Sequence, residues 1–258
     1  AEIDEYVSDM GFKAALLAME MANWGTETVD LIILATSTPS DLFGSAPMIQ
    51  AKLRAKNALA FDLTAACSGF IFALITASQY LSSGKYKRAL VIGSDQLSSY
   101  VDWKDRGSCI LFGDGAGALA IESSNDENNL FGFKLRTDGE RGSFLNLHNK
   151  NLNGKINDQI KFRKGEFANI SMNGPEVYKF AVREVPIIIS DLLKKTDFDS
   201  ADIDWLILHQ ANQRILDAVG ERLKINKGKI LTNLNNYGNT SAATIPLVLD
   251  EFIRNQKI

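Results

Sequence analysis

Apolar positions along this chain alternate between blocks at helical spacing and short unbroken runs. From Tyr6 to Trp24, Val7, Met10, Ala14, Leu17 and Met21 fall on one helical face, and Gly25 predicts the stop. Leu31 to Ala35 is apolar throughout, the pattern of a strand covered on both faces in a parallel sheet. Met48 to Leu53 reads as a short helix and Ala58 to Leu63 as another buried strand. Phe70, Ile71, Leu74, Ala77 and Leu81 return to helical spacing over Ser68 to Ser83, with Gly84 as the stop, and Ala89 to Gly93 is a further strand. Cys109 to Phe112, the run Gly113-Asp114-Gly115-Ala116-Gly117, and Ala118 to Glu122 predict a hairpin. A nucleotide-binding glycine loop needs strand-turn-helix, so strand-turn-strand argues against that use. Ser123 to Asn129 reads as a polar loop, and Asn146 to Lys164 as a polar excursion from the core.

The second half echoes the first. Val177 to Leu193 is a long helix, and Asp204-Trp205-Leu206-Ile207-Leu208 repeats the character of Asp30-Leu31-Ile32-Ile33-Leu34. A helix (Ile215 to Leu223), a strand (Ile230 to Leu234) and a small-residue turn at Asn239-Thr240-Ser241 follow, opening a last helix from Ala242 to Ile253. Asp30 and Cys67 are 37 residues apart, and Asp204 and Asn239 are 35 apart. The match suggests an internal duplication with Cys67 and Asn239 at equivalent turns, against the alternative of chance likeness between two helix–strand units. The division falls at residues 1–131 and 132–258. In an open α/β architecture ligands bind where strands end and helices begin, and halves packed back to back bring two such turns together.

Composition narrows the chemistry. With 258 residues, 45% hydrophobic and 23% charged, the chain has the length for one large or two small cores. A net charge of −3 offers nothing to nucleic acid as a general partner. Two cysteines and two histidines at unrelated spacings make neither a disulfide framework nor a zinc site. No secretory signal is visible and no apolar run approaches the ~18 residues of a membrane span, which leaves the cytoplasm as the default compartment. The chain begins at Ala1 rather than Met and opens almost directly into a helical pattern, which suggests a fragment.

The small neighbours Ala65, Ala66, Ser68 and Gly69 put Cys67 in a tight strand-to-helix turn. A helix N-terminus lowers a thiol pKa and favours the nucleophilic thiolate; a buried structural cysteine is the competing reading. His209 ends the second Leu-Ile-Leu strand, either facing a crevice or packed as a cap. Asn239 is an amide donor or simply a turn residue. Together the three suit acyl transfer from a thioester, with a thiolate attacking and donors holding the oxyanion.

Four segments then resemble the β-ketoacyl-acyl carrier protein synthase III family: Thr64-Ala65-Ala66-Cys67-Ser68-Gly69-Phe70, Phe112-Gly113-Asp114-Gly115-Ala116-Gly117, His209-Gln210-Ala211-Asn212 and Gly238-Asn239-Thr240-Ser241-Ala242-Ala243. The resemblance runs in order over essentially the whole chain. It implies a thiolase-like α/β fold of two duplicated halves in a five-layered αβαβα arrangement, incomplete here at both termini, and a homodimer. It implies a Cys67–His209–Asn239 triad and a decarboxylative Claisen condensation. Cys67 takes an acyl group, typically acetyl, from acyl-CoA. His209, neutral and donating, and Asn239 hydrogen-bond the thioester carbonyl of malonyl-acyl carrier protein while CO₂ leaves. No cofactor or metal is implied, since the CoA thioester is a substrate.

By position, Arg106 resembles the arginine near the CoA nucleotide, Gly174 and Asn212 resemble residues of the pantetheine tunnel, and Phe43 the aromatic that crosses the dimer interface to limit the acyl pocket. Lys179, Arg214 and Arg222 match basic residues that receive the acidic carrier protein. Between Arg214 and Lys229, five basic and two acidic residues give a local excess of positive charge; a solvated helix face is the alternative. A non-catalytic partner subunit is disfavoured by the presence of all three triad residues. A related thiolase-fold enzyme with another acyl donor stays open, as the triad does not discriminate it. Cys109, read as part of an apolar strand, is expected to be inert.

Overall fold

The structure, a computed structural model, describes residues 1–2, 4–124, 129–150, 152–157, 159 and 161–258. Its elements in order are α1 (Val7–Ala22), β1 (Leu31–Ala35), α2 (Ala46–Leu53), β2 (Leu59–Leu63), α3 (Gly69–Ser82), β3 (Arg88–Gln96), β4 (Asp114–Glu122), β5 (Leu145–Asn146), β6 (Leu152–Lys155), β7 (Lys161–Lys164), β8 (Ser171–Met172), α4 (Gly174–Lys195), β9 (Leu206–Ile207), α5 (Gln213–Leu223), β10 (Ile230–Leu231), α6 (Leu234–Tyr237) and α7 (Thr244–Arg254).

The first sheet has strand order β2-β1-β3-β4, with β1 parallel to both β2 and β3 and β4 antiparallel to β3. Alternation along β1 divides its side chains between two cores. Ile32 and Leu34 join Leu90 and Ile92 under α1 and α2, whereas Leu31, Ile33 and Ala35 join Ala89, Val91 and Phe70 on the α3 side. A strand buried on both faces has no polar alternation to show, which is why Leu31–Ala35 reads as one apolar run. Burying a side chain such as Phe70, 2% exposed, is worth about 2–3 kcal/mol.

The second, smaller sheet pairs β9 with β10 in parallel, and β9 packs with α4 and α5 in a third core around Val182, Ile215 and Val219. Between the sheets lie α3 and α7, with α7 touching β4 on one side and β9 on the other. The order is helix, sheet, helix, sheet, helix: a five-layered α/β fold. Among the described residues no helix is long and apolar enough to cross a membrane.

Several expectations need correction. The helix α1 buries Val7, Met10, Gly11, Ala15 and Met19, while Leu17 and Met21 are half-exposed. Its small residues let it approach closely: a Cβ on Gly11 would come within 2.7 Å of Ile49 Cδ1. The helix is ended by Asn23 in the left-handed conformation rather than by Gly25.

The expected hairpin at Cys109 does not form. Residues 109–111 are turns, Phe112 bridges to Asn239, and the glycine run from Asp114 onward lies within β4, paired with β3 from Gln96↔Asp114 to Arg88↔Glu122. Those glycines serve packing between the halves. A Cβ on Gly113 would lie 2.4 Å from Tyr237 O, and one on Gly117 would lie 2.9 Å from Pro246 Cβ. The polar loop expected over Ser123–Asn129 lies largely outside the described residues, as do parts of the Asn146–Lys164 excursion. That excursion carries a small hairpin, β6 against β7.

Candidate active site

Two turns face each other at the centre of the molecule. The first is a 3-10 turn, Ala66–Ser68, that leads from β2 into α3; Ala66 sits at φ 48, in left-handed space that a side chain adopts only under constraint. The second, Ser241–Ala243, leads into α7, with Ser241 at φ 53. The turns are equivalent, but the residues are offset from the expected pairing. The left-handed positions Ala66 and Ser241 correspond, so the counterpart of Cys67 is Ala242, and Asn239 matches Thr64. The backs of the turns are pressed together: Gly69 packs against Ala242, and a Cβ on Gly93 would be 2.3 Å from Ala242 O.

Cys67, His209 and Asn239 all line one cavity of about 320 Å³, together with Leu111, Phe112 and Ala181. Asn239 is fixed through its backbone, its N–H donating to Leu111 O at 3.0 Å and its carbonyl accepting from Gly113 N at 2.9 Å. Its side-chain Oδ1 accepts from Ser241 N–H at 2.9 Å, so the amide nitrogen is the end left to meet a ligand. His209 follows β9, and its Nδ1 lies 2.7 Å from Thr244 Oγ1. Burial holds its pKa down at about 4, so the ring is neutral at pH 7.

The thiol departs from expectation. Burial, above all, pushes Cys67 up to about 11, and the charge of Asp95 adds to the rise; a hydrogen bond from Ser241 Oγ, 3.7 Å from Sγ, opposes it. Dense packing and an apolar lining outweigh the helix N-terminus, so the resting group is the thiol rather than the thiolate. Cys109 is half-buried in a turn next to Ile110, which is 78% exposed.

Three residues that the sequence patterns did not single out hold the turns. Asp95, fully buried at the end of β3, accepts from Ser37 N at 2.7 Å, Thr38 Oγ1 at 3.0 Å, Thr36 Oγ1 at 3.1 Å and Ala242 N at 3.2 Å. Burial raises its pKa, and hydrogen bonds from Ser37, Ser241, Ala242 and Thr38 oppose the rise. Ser241 and Thr244 are the other two. A carboxylate at the end of a strand that begins as an apolar run, Ala89 to Ile92, was the available signal.

Of the other predicted residues, Gly174 and Asn212 line the cavity, and Asn212 also caps α5, its Oδ1 accepting from Arg214 N at 2.8 Å. Arg106 is exposed in the turns after Trp103 and is not among the lining residues. Phe43 is fully exposed and lines a separate groove with Leu42 and Phe61 beside the edge strand β2. Lys179, Arg214 and Arg222 are exposed on α4 and α5, with Lys179 paired to Glu176 at 2.6 Å. Among the described residues no group of three or more His, Cys, Asp or Glu is placed to hold a metal ion.

Comparison with known proteins settles the family. Residues 61–139 match the model of 3-oxoacyl-[acyl-carrier-protein (ACP)] synthase III, and residues 193–258 match that of its C-terminal part. A beta-ketoacyl-[acyl-carrier-protein] synthase III of Prochlorococcus marinus (strain MIT 9515) is 70% identical over 256 residues, which are 99% of this chain and 76% of that protein. The chain belongs to the 3-oxoacyl-[acyl-carrier-protein] synthase III family. Solved synthases of this family superpose on it. The one from Thermus thermophilus has a TM-score of 0.89 at 36% identity, covering 100% of this chain and 78% of its own. The one from Aquifex aeolicus VF5 has 0.83 at 39%, covering 99% and 78%. The fold is therefore that of the thiolase-like condensing enzymes. The synthase is an acyltransferase whose condensation initiates fatty acid synthesis.

Proposed function

We propose that Cys67 is the nucleophile of this synthase, that it accepts an acyl group, acetyl in the simplest case, from acyl-CoA, and that His209 and Asn239 serve the second half-reaction. The carrying observation is that one apolar cavity is lined by a thiol from the turn before α3 and by an imidazole and an amide from the opposite turn region. The halves, 1–131 and 132–258, thus divide the work. The first holds the acyl group and the second polarises the incoming thioester.

In the acylation, Cys67 sulfur bonds the acyl carbon, CoA sulfur leaves, and the thiol proton goes to the departing sulfur. Malonyl-acyl carrier protein then loses CO₂. The electron pair of the broken C–C bond passes into an enolate whose oxygen is held by Asn239 Nδ2–H and the imidazole, a charge-stabilising arrangement worth about 3 kcal/mol per donor. The enolate carbon attacks the acyl carbon, the bond from that carbon to Cys67 sulfur breaks, and the released thiolate takes a proton from solvent to restore the resting thiol. No metal or further cofactor is needed for these steps.

Gly174 and Asn212, at the mouth of the cavity, suit the pantetheine arm, and Arg106 the charged nucleotide end of CoA. The exposed cations Lys179, Arg214 and Arg222 suit an acidic carrier protein. The open edge of β2 and the exposed Leu42 and Phe43 beside it suit a second copy of the chain, with Phe43 reaching the partner's acyl pocket. A free reactive thiol suits a reducing cytoplasm. Incubation with labelled acetyl-CoA followed by peptide mapping tests the assignment. Label is expected on the Cys67 peptide, and label on the Cys109 peptide would overturn it.

A further inference from the structure

The sequence patterns and the proposed triad leave Thr244 without a part, yet its hydroxyl is the neighbour of His209 Nδ1, at 2.7 Å. A threonine hydroxyl has one proton to give and two acceptors here: His209 Nδ1 and, at 3.0 Å, Ser241 O. The Ser241 carbonyl already accepts from the backbone N–H of Thr244. It does not depend on the hydroxyl. The 2.7 Å separation is a normal length for a hydroxyl donating to the ring nitrogen. We infer that the Thr244 hydroxyl donates to His209 Nδ1 and so places the ring proton on Nε2, making Thr244 the positioning residue that turns His209 into a hydrogen-bond donor.

The inference rests on the proposed role of His209 in the second half-reaction, and it explains how a neutral ring performs it. A neutral imidazole has one N–H. With that proton on Nδ1, Nε2 would present a lone pair to the developing enolate oxygen and repel it. With Nδ1 occupied by an incoming O–H, the proton stays on Nε2 and no charge has to be buried. The chemistry of the step is unchanged: Thr244 exchanges no proton and touches no substrate. The placement is economical, because Ser241 ties the same turn to the other two members. Its N–H holds Asn239 Oδ1 and its hydroxyl meets Cys67 Sγ. Thr244 completes the set through His209.

The chain has only two histidines, His148 and His209, so ¹⁵N-histidine NMR of the whole protein, with His209→Gln for assignment, reads the tautomer directly. At pH 7 the wild type is expected to show His209 protonated on Nε2. Thr244→Val, close to isosteric but without the hydroxyl, is expected to shift the ring toward the Nδ1–H form. It should slow CO₂ release from malonyl-acyl carrier protein by about 10-fold or more while self-acylation by acetyl-CoA stays within about 2-fold. Thr244→Ser, which keeps the donor, should restore both the tautomer and the rate. An Nδ1–H signal in the wild type overturns the inference. So does a Thr244→Val protein with unchanged CO₂ release, or one that loses both half-reactions together without rescue by serine. Failure of the underlying reading is distinguishable: it would show as normal CO₂ release in His209→Ala, whatever the tautomer.

Discussion

The turn that carries Cys67 and the turn that carries Ser241 use one backbone device for opposite ends. Each forces a residue with a side chain into left-handed space, Ala66 at φ 48 and Ser241 at φ 53, and then starts a helix. In the first turn the next residue is the thiol, left half-buried at the cavity wall. In the second it is Ala242, 1% exposed, whose carbonyl presses against Gly93. The thiol sits on the turn that opens to the cavity. The other turn, closed at the equivalent position, supplies polar groups from the residues around it. The same turn geometry occurs twice, and the two copies differ in how far the following residue is exposed.

The comparison is broken most severely by moving the thiol. Cys67→Ala is expected to lose condensation by about 10⁴-fold or more, and adding Ala242→Cys should recover none of it, because that position is sealed. Labelling with acetyl-CoA checks both; acylation of the double variant would show that the closed turn is equally competent. Asn239→Ala should cost about 10²–10³-fold in CO₂ release from malonyl-acyl carrier protein and leave self-acylation nearly intact. Equal loss in both assays would mean that the two turns do not divide the labour.

Gly93→Ala tests how tightly the second turn is pressed against β3. The new Cβ meets a backbone oxygen, which cannot swing aside, so a loss of about 3 kcal/mol is expected in denaturant melts. A change below about 0.5 kcal/mol would mean that the contact relaxes freely.

Titration sharpens the environment of the thiol. Alkylation of Cys67 should rise with pH toward an apparent pKa of about 11. Ser241→Ala should move it further up, since that hydrogen bond favours the thiolate, and Asp95→Asn should move it down, since the aspartate charge opposes it. Opposite signs would place the control elsewhere. The smallest expected effect is Ala66→Gly. Relief of the left-handed strain offsets the extra freedom of the unfolded chain, leaving stability within about 1 kcal/mol and Cys67 still reactive. A large loss would show that the alanine methyl itself packs the turn.

Much of this was legible in the chain because its causes are local. Leu31–Ala35 is uniformly apolar because both faces are covered, and Cys67, His209 and Asn239, singled out by residue type and position, line one cavity. What was not legible came from contacts between distant segments. The glycines of β4 look like a turn, yet they are there because the second half lies against them. The buried face of α1 differs from the one its apolar spacing predicts because Gly11 and Ala15, small rather than strongly apolar, are what the neighbouring elements require. The thiol pKa went the opposite way because local position at a helix start says nothing about how much protein surrounds the sulfur. Ser241 and Thr244 are ordinary helix-start residues until the fold sets them beside Cys67 and His209.

Asp95 also has a meaning in time. Three of its four donors come from residues 36–38, made early, and the fourth is Ala242, made late. A growing chain is synthesised from its N-terminus, and its first half takes shape before the second exists. Until Ala242 arrives, the carboxyl lacks a donor and keeps water, and nothing stands opposite Cys67. The nascent first half therefore carries Cys67 without the wall that encloses it, and the surroundings that raise the thiol pKa are complete only when the last turn docks.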